Sequence, residues 1–377
     1  MCSDEGMKVC LISSYPPSRA RLSEYAYNLV DELRRRPRIG ELYVLSDGDD
    51  FIDGKLKVLK AWEKDDPFSL LTLPFRVIRL RPHVVHFNMH FQSFGRGRMT
   101  NFVGFLLIPL LRLLGMKVLV TIHNLGERVD LTKLGIKAGF INRMGITVAT
   151  RLLLKASGIA VTVRSYGPYL RRRYGHNGIR YVPHGARPYD TGVPSNGKIL
   201  MFGHMSPYKG LHIMLEAFKR LDGRKDAELI VAGSSHPNYP GYLERFRDMK
   251  LPKVSFIGYV PEEKLSSLFS SVRVVVLPYL MATGTSGVFH LACSFGRPIV
   301  ASDLPEIREL VMDGASALLV PPGDVKALAN AISRILDDDQ LAKSMGLKNL
   351  MFAKRHSWTL VAKAYERMYE EAANGGL

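Results

Sequence analysis

Short apolar runs rich in β-branched residues alternate with helix-periodic stretches along this whole sequence, and midway the pattern starts again. Runs that are apolar without clean alternation suit strands buried on both faces, as in parallel α/β sheets. In the first half they fall at residues 8–12, 42–45, 84–87, 117–122 and 159–163. Residues 24–36 place Tyr25, Leu29 and Leu33 on one stripe of an amphipathic helix, with Ser23 as its expected N-cap. The second half gives strands at 198–202, 228–232, 254–257, 272–277, 298–301 and 317–320. Helices are expected there at 211–221, 262–269, 288–295, 306–312 and 325–336, the last capped by Asp324, with a final helix at 359–373. Between the halves, residues 183–197 hold Pro183, Gly185, Pro188, Gly192, Pro194 and Gly197, the punctuation of a linker. The expected organisation is therefore a domain over 1–187, a second over 188–358, and a helix over 359–377 that packs back on the first. No short repeat is present, which excludes solenoids and propellers.

The 377 residues suffice for two domains of roughly 180 each. With 46% hydrophobic and 23% charged residues, the chain has the balance of a globular protein with a full core, which excludes disorder and collagen-like repeats. Cys2, Cys10 and Cys293 are few, odd in number and far apart, so a disulfide framework or Cys-based zinc site is not expected and a reducing cytosol is. The polar start 1–6 reads as a start-site extension ahead of Met7, without a secretory leader. The most apolar stretch, 102–114, is interrupted by Pro109 and Arg112 and falls short of the ~18 continuous apolar residues of a membrane span. The charge is unevenly divided. Residues 1–190 carry 30 Lys and Arg against 16 Asp and Glu, a net of +14, whereas residues 191–377 carry 22 against 19, a net of +3. The first half is thus suited to an anionic partner, a lipid surface, a phosphorylated acceptor or nucleic acid, and the basic stretches 34–36, 171–173 and 142–155 are the candidates for contact with an anionic membrane surface, with a solvated helix face as the alternative. Arg96 and Arg98 beside Phe91 and Phe94 belong to no RNA-binding motif, and no nucleic-acid partner is expected.

Ligands of doubly wound sheets bind outside the carboxyl ends of the strands, so chemistry is sought in the loops that follow strands. The loop over 13–23 leads into a helix N-terminus with Arg19 and Arg21 beside it, a setting for an anion; neither a dinucleotide fingerprint nor a P-loop occurs there. His86, Asn88 and His90 alternate along the third strand and share one face, yet His83 falls on the other and no nearby Cys or carboxylate completes a metal set, so a polar edge is expected and no metal. Thr121-Ile122-His123-Asn124 sets a histidine at a strand end. In the second half, Gly203 and His204 precede Lys209 at a helix entrance, and Thr283-Gly284-Thr285-Ser286-Gly287-Val288 opens another helix with small residues whose amides suit a phosphate.

The second half resembles the donor domain of the family-4 retaining glycosyltransferases. The similarity runs through residues 199–210 with 215–221, 254–278, 296–302 followed by Pro305-Glu306-Ile307, and 313–331. The first half resembles their acceptor domain through Tyr15-Pro16-Pro17, residues 24–33 and 82–87, Ile122-His123 and Pro183-His184-Gly185. The resemblance implies a GT-B fold of two Rossmann-like domains facing a cleft. It also implies a nucleotide-sugar donor in the second domain, a glycan, lipid-linked or small-molecule acceptor in the first, and hexose transfer with retention and without a metal or other cofactor. By the same resemblance Lys209 matches the diphosphate lysine, Gly284 the glycine of the phosphate loop and His123 the histidine touching the donor sugar, with Gly233 near the nucleoside. Asn88, Arg19 and Arg21 are the acceptor-side candidates.

The sequence also departs from the family pattern. The usual pair of glutamates falls at Thr283 and Leu291, the usual arginine ahead of the lysine is His204, and the glycine-rich acceptor loop is Ala20-Arg21-Leu22-Ser23. Hydroxyls and amides of 283–287 would replace the first carboxylate, and His204 carries charge only part of the time near neutrality. The departures leave two other readings in play: a GT-B protein that binds a sugar nucleotide or glycan without turnover, and a disaccharide phosphorylase.

Overall fold

The computed structural model describes residues 6–18, 22–134, 139–221 and 223–376. The chain divides into two compact units: unit 1, Met1–Arg128, Ala138–Gly185 and Trp358–Leu377, and unit 2, Val129–Lys137 and Ala186–Ser357.

In chain order unit 1 contains β1 (Met7–Ile12), α1 (Ser23–Leu33), β2 (Ile39–Ser46), β3 (Phe51–Asp53), β4 (Leu56–Lys60), α2 (Leu73–Leu80), β5 (Val84–Met89), α3 (Arg98–Leu113), β6 (Val118–Ile122), α4 (Phe140–Leu153), β7 (Gly158–Val161), α5 (Tyr166–Tyr174) and β8 (Ile179–Tyr181). The sheet runs β3-β4-β2-β1-β5-β6-β7-β8, parallel except where β3 turns back on β4. Its central strands are buried on both sides: in β1, Cys10 and Ile12 enter one core and Val9 and Leu11 the other. Helices α2, α3, α4 and α5 cover the first face.

Unit 2 contains β9 (Lys198–Phe202), α6 (Leu211–Lys219), β10 (Glu228–Ala232), α7 (Glu244–Arg247), β11 (Val254–Gly258), α8 (Glu262–Ser271), β12 (Val274–Leu277), α9 (Gly287–Ser294), β13 (Ile299–Ser302), α10 (Pro305–Met312), β14 (Ala317–Val320), α11 (Val325–Asp337) and α12 (Asp339–Arg355). Its six parallel strands run β11-β10-β9-β12-β13-β14 between a core with α6 and α11 and a core with α8, α9 and α10. Asp324 caps α11, its Oδ1 accepting the Ala327 amide at 2.8 Å. Buried Arg297 ties the start of β13 to the preceding linker. Its guanidinium donates to the carbonyls of Phe295 (2.7 Å), Val272 (3.0 Å) and Gly192 and to the Thr191 hydroxyl (2.8 Å), and burial lowers its pKa to about 10.

The last helix, α13 (Trp358–Ala373), belongs to unit 1 and lies with α1 over the second face of its sheet. A buried polar chain binds it there. Tyr25 meets Tyr365 hydroxyl to hydroxyl at 2.9 Å, and Tyr365 meets Thr121 at 2.8 Å. His86 bridges Thr121 and Tyr369 with 2.8 Å contacts at each nitrogen. Arg36 pairs with Glu366 at 2.6 Å. In this low-dielectric setting a fully satisfied network fixes one arrangement of the core.

One local expectation changes. Ser23 is already the first helical residue; the N-cap is Leu22 and makes no side-chain cap bond, because the chain enters the helix one residue early. Pro109 sits inside α3 without ending it. Strands β3, β4 and β8 and helices α2, α3, α7 and α12 were not foreseen from the sequence.

In both sheets the strand order reverses at one point: between β1 and β5 in unit 1, and between β9 and β12 in unit 2. Crevices outside the carboxyl ends at such switch points are where doubly wound sheets bind ligands.

A Cβ at Gly185 would overlap the buried indole of Trp358. Gly185→Ala should therefore cost about 1–3 kcal/mol through overpacking. Gly145→Ala, in α4 with open space around it, should gain roughly 0.5–1 kcal/mol of helix propensity. Urea midpoints of the two variants, moving in opposite directions, check both.

Candidate functional site

At the switch point of unit 2, three loops are locked together by glycines. Gly203, at φ +113° after β9, donates its amide to the Ala232 carbonyl at 2.9 Å. Gly233, at φ +130° after β10, lies so close to it that a Cβ would overlap the Gly203 carbonyl oxygen. A Cβ on Gly203 would in turn press on Val288 at 3.3 Å. Further along, Gly210 at φ +75° leaves no room for a Cβ beside the Pro278 carbonyl, and the Leu280 amide donates to the Tyr208 carbonyl at 2.8 Å. Thus Gly203, Gly233 and Val288 are brought together, and so are the Lys209 loop and the loop after β12.

The half-buried Lys209 holds its ammonium 3.6 Å from the centroid of the Tyr279 ring. That aromatic face steadies a cation without neutralising it. Ser286 caps α9, its hydroxyl accepting the Phe289 amide at 3.3 Å. The earlier first-turn amides, of Gly287 and Val288, have no acceptor within the helix. Between them and the strand, Gly284 takes φ +143°, and the buried Thr285 hydroxyl has no hydrogen-bond partner. Thr283 is half-buried at the head of this loop. A cation, an unused hydroxyl and helix-start amides on adjoining loops form a set of donors for an anion. His204 is exposed and meets Ser234 at 3.1 Å, with its ring 6.4 Å from that of His236. Leu291, on α9, offers no polar group.

Unit 1 has its own polar cluster at the β1/β5 switch point. Asn88 donates through Nδ2 to the Ser13 hydroxyl at 2.9 Å, which leaves its Oδ1 facing His123 Nε2 at 2.6 Å. An amide oxygen only accepts, so the neutral His123 ring donates through Nε2 and keeps Nδ1 as its acceptor. Tyr25 packs edge-on against His123, His184 and Trp358. Burial, with His184, His90 and His86 nearby, holds His123 well below the ordinary imidazole range. Burial likewise lowers His86 to about 3 and His184 to about 4.

Asn88 is an acceptor-side candidate read on the third strand expected from the sequence. It lies on β5, buried, with both ends of its amide engaged by Ser13 and His123. The expectations for Arg19, Arg21 and Ala20 fall outside the described residues. His86 does not form an open polar edge, since both ring nitrogens are bonded inside the core. Of the basic runs, 34–36 is largely tied up: Arg34 pairs with Asp31 and Asp53, Arg35 with Asp31, and Arg36 with Glu366. Among the described residues, no group of three or more His, Cys, Asp or Glu side chains could hold a metal, and no helix is long and apolar enough to cross a membrane. Cys10 and Cys293 are free thiols, both buried, and burial pushes Cys10 up to about 12. Sequence reasoning missed Tyr279, Ser234 and His236. The available signal for Tyr279 was an aromatic residue two positions past a strand end.

Residues 196–338 match the family described as glycosyl transferases group 1. The solved structure of sucrose-phosphate synthase from Thermosynechococcus elongatus superposes with a TM-score of 0.76 at 21% identity, covering 96% of this chain and 98% of that one. The fold is GT-B. A second GT-B neighbour, Anabaena HepE in complex with UDP and glucose, gives a TM-score of 0.69 at 17% identity over 97% of this chain and 99% of that one. Among curated proteins, the phosphatidyl-myo-inositol mannosyltransferase of Mycobacterium leprae is 28% identical over 206 residues, 53% of this chain and 54% of that protein. The GT-B chain thus matches about half the length of such curated relatives.

The histidine cluster sets an acid limit on unit 1. His123, His86 and His184 stay neutral when folded but protonate near 6.5 when unfolded, so the unfolded chain binds more protons as pH drops. Stability is full above pH 6.5 and should fall below it by about 1.4 kcal/mol per pH unit for each histidine. Urea titrations from pH 6.5 to about 5, above the carboxylate range, should show this slope, and a flat profile would contradict the burial of these rings.

Proposed function

We propose that this GT-B chain is a retaining glycosyltransferase. It moves a hexose from a UDP- or GDP-linked donor held by unit 2 to a glycan, lipid-linked or small-molecule acceptor held by unit 1, and it needs no cofactor. The observation that carries the reading is the donor set at the β9/β12 switch point: Lys209 over Tyr279, the unpartnered hydroxyl of Thr285 and the first-turn amides of α9. These groups suit a diphosphate, and their main contribution is to stabilise the negative charge that develops as the nucleotide departs. His204, with Ser234 beside it, adds a donor when protonated. His123 is assigned the contact with the transferred sugar, through the Nδ1 that its bond to Asn88 leaves available. Gly203 and Gly233 let the nucleoside approach backbone. With Leu291 where the family carries a glutamate, the ribose is held without that carboxylate.

The relatives support this reading in kind. The M. leprae protein is a mannosyltransferase, and the HepE structure holds UDP and glucose. The absence of both glutamates keeps the non-catalytic reading under test. The excess basic charge of residues 1–190 supports a peripheral position on an anionic membrane at its cytoplasmic side.

Thermal shift with UDP, GDP and ADP and their hexose conjugates is the first measurement. A ligand at about 100 times its Kd adds about 2.7 kcal/mol, a rise of a few degrees in Tm. Lys209→Ala should lower kcat/KM by on the order of 10²–10³ and weaken the nucleotide shift. Unchanged kinetics would remove Lys209 from the mechanism. A nucleotide shift without transfer to any acceptor would favour the binding protein, and phosphate-dependent disaccharide cleavage without a nucleotide response would favour the phosphorylase.

A further inference from the structure

Between Asp66 and Asp190 the chain carries 19 Lys and Arg residues and only two acidic ones, Glu127 and Asp130. This stretch supplies α2, α3, α4 and α5, which cover one face of the unit 1 sheet. Leu73 and Val77 of α2, Ile108 and Leu111 of α3, and Ala149 and Leu153 of α4 all point into the same core. Helix α3 packs against α4 and against the turn that leads into α2. The opposite faces of the three helices therefore look away from the sheet together.

Those outer faces are apolar where a surface helix is ordinarily polar. On α3, Met99, Phe102, Leu106, Leu110 and Leu113 are exposed. At about 100° per residue they form one row on the side opposite Ile108 and Leu111. Helix α2 adds Phe75, 76% exposed, and Ile78; α4 adds Phe140, 79% exposed, Ile141 and Met144. Exposed arginines stand among them: Arg76, Arg79, Arg81, Arg98, Arg112 and Arg143. Helices α2 and α3 contain no acidic residue. An apolar patch of this extent, rimmed mostly by positive charge with Asp65 at the start of α3, marks an interaction surface.

We propose that the α2–α3–α4 face of unit 1 seats on an anionic lipid bilayer. The row on α3 enters the boundary between headgroups and acyl chains, and the arginines meet lipid phosphates. At 16 residues α3 is about 24 Å long, too short to span, and its other face stays on the sheet. A second copy is disfavoured as the occupant, because its like face would bring the same positive charge. The inference rests on the reading of unit 1 as a membrane-facing domain. It moves the contact away from residues 34–36, whose guanidinium groups are already paired, onto the opposite side of the sheet.

The test uses the full chain with vesicles of phosphatidylcholine, alone or mixed with phosphatidylglycerol. Trp62 and Trp358 are both buried, so in Leu106→Trp a vesicle-dependent blue shift of emission reports on the outer face of α3. The expected result is co-sedimentation with the anionic vesicles only, with that blue shift. Phe102→Asp/Leu106→Asp/Leu110→Asp should weaken binding at least about tenfold. Each arginine neutralised in Arg79→Gln/Arg112→Gln should cost about fivefold. Met312→Asp, at an exposed position of unit 2, should change nothing. Should the triple variant fail to fold, the tryptophan signal still decides. Co-sedimentation without a shift at position 106 would overturn this inference while leaving a membrane role for unit 1, and failure to co-sediment would overturn both. Equal binding to neutral vesicles would overturn the role of the arginines. Self-association abolished by the triple variant, without vesicle binding, would make the row a seam between copies and overturn the proposal. Nucleotide thermal shifts, measured in parallel, are independent of all these outcomes.

Discussion

Burial of both faces of a parallel sheet is the constraint from which the rest of this molecule follows. A strand with helices above and below can meet its parallel neighbour only through a crossover, so every strand delivers its carboxyl end to the same edge. Each unit obeys this apart from the antiparallel edge strand β3, and in each the strand order reverses once, at β1/β5 and at β9/β12. The crevice that results is lined by loops rather than by regular elements, and loops are free to carry glycine. In unit 2 that freedom is used where backbone meets backbone: Gly233 against Gly203 and Gly210 against Pro278. Those contacts fix the spacing of the loops that carry Lys209, Thr285 and the start of α9.

Much of this was legible in the sequence, and what was not has identifiable causes. Strands buried on two faces announce themselves as apolar runs, so β1, β5, β6 and the strands of unit 2 could be read directly. Strand β3 is exposed along its whole length and β8 is only half-buried, so neither carries the pattern. Helix α12 was hidden because its buried face includes Gly346 and Asn349, the latter bonded to the carbonyls of Arg297 and Ser316. Helix α3 was hidden by Pro109. A proline inside a helix costs about 3 kcal/mol, and here the burial of Phe105, Leu107, Ile108 and Leu111 outweighs it. At the site, strand-end loops were visible but partnerships were not. Asn88 reaches His123 because β5 and β6 align Asn88 with Thr121, and His123 follows two residues later on the same face.

The loop over 283–287 shows what a changed loop can retain. Where the resembled family carries a carboxylate pair this chain has Thr283 and Leu291, while Ser286 caps α9 and Gly284 takes a positive φ. The phosphate-suited part of the motif lies in backbone geometry, which the loss of two side chains leaves intact.

The position of α13 has a consequence for how the chain is made. Its residues Val361, Ala362, Tyr365, Met368 and Tyr369 complete the core that α1 begins, and they are the partners of Tyr25, Thr121 and His86. On the ribosome they emerge only after all of unit 2. Throughout that interval one face of the first sheet lacks half of its cover, while everything unit 2 needs from the segment 186–357 is already out. The second unit to be synthesised is therefore the first able to close this part of its core. The N-terminal one waits, with its histidines and tyrosines open to water, for the last helix to arrive.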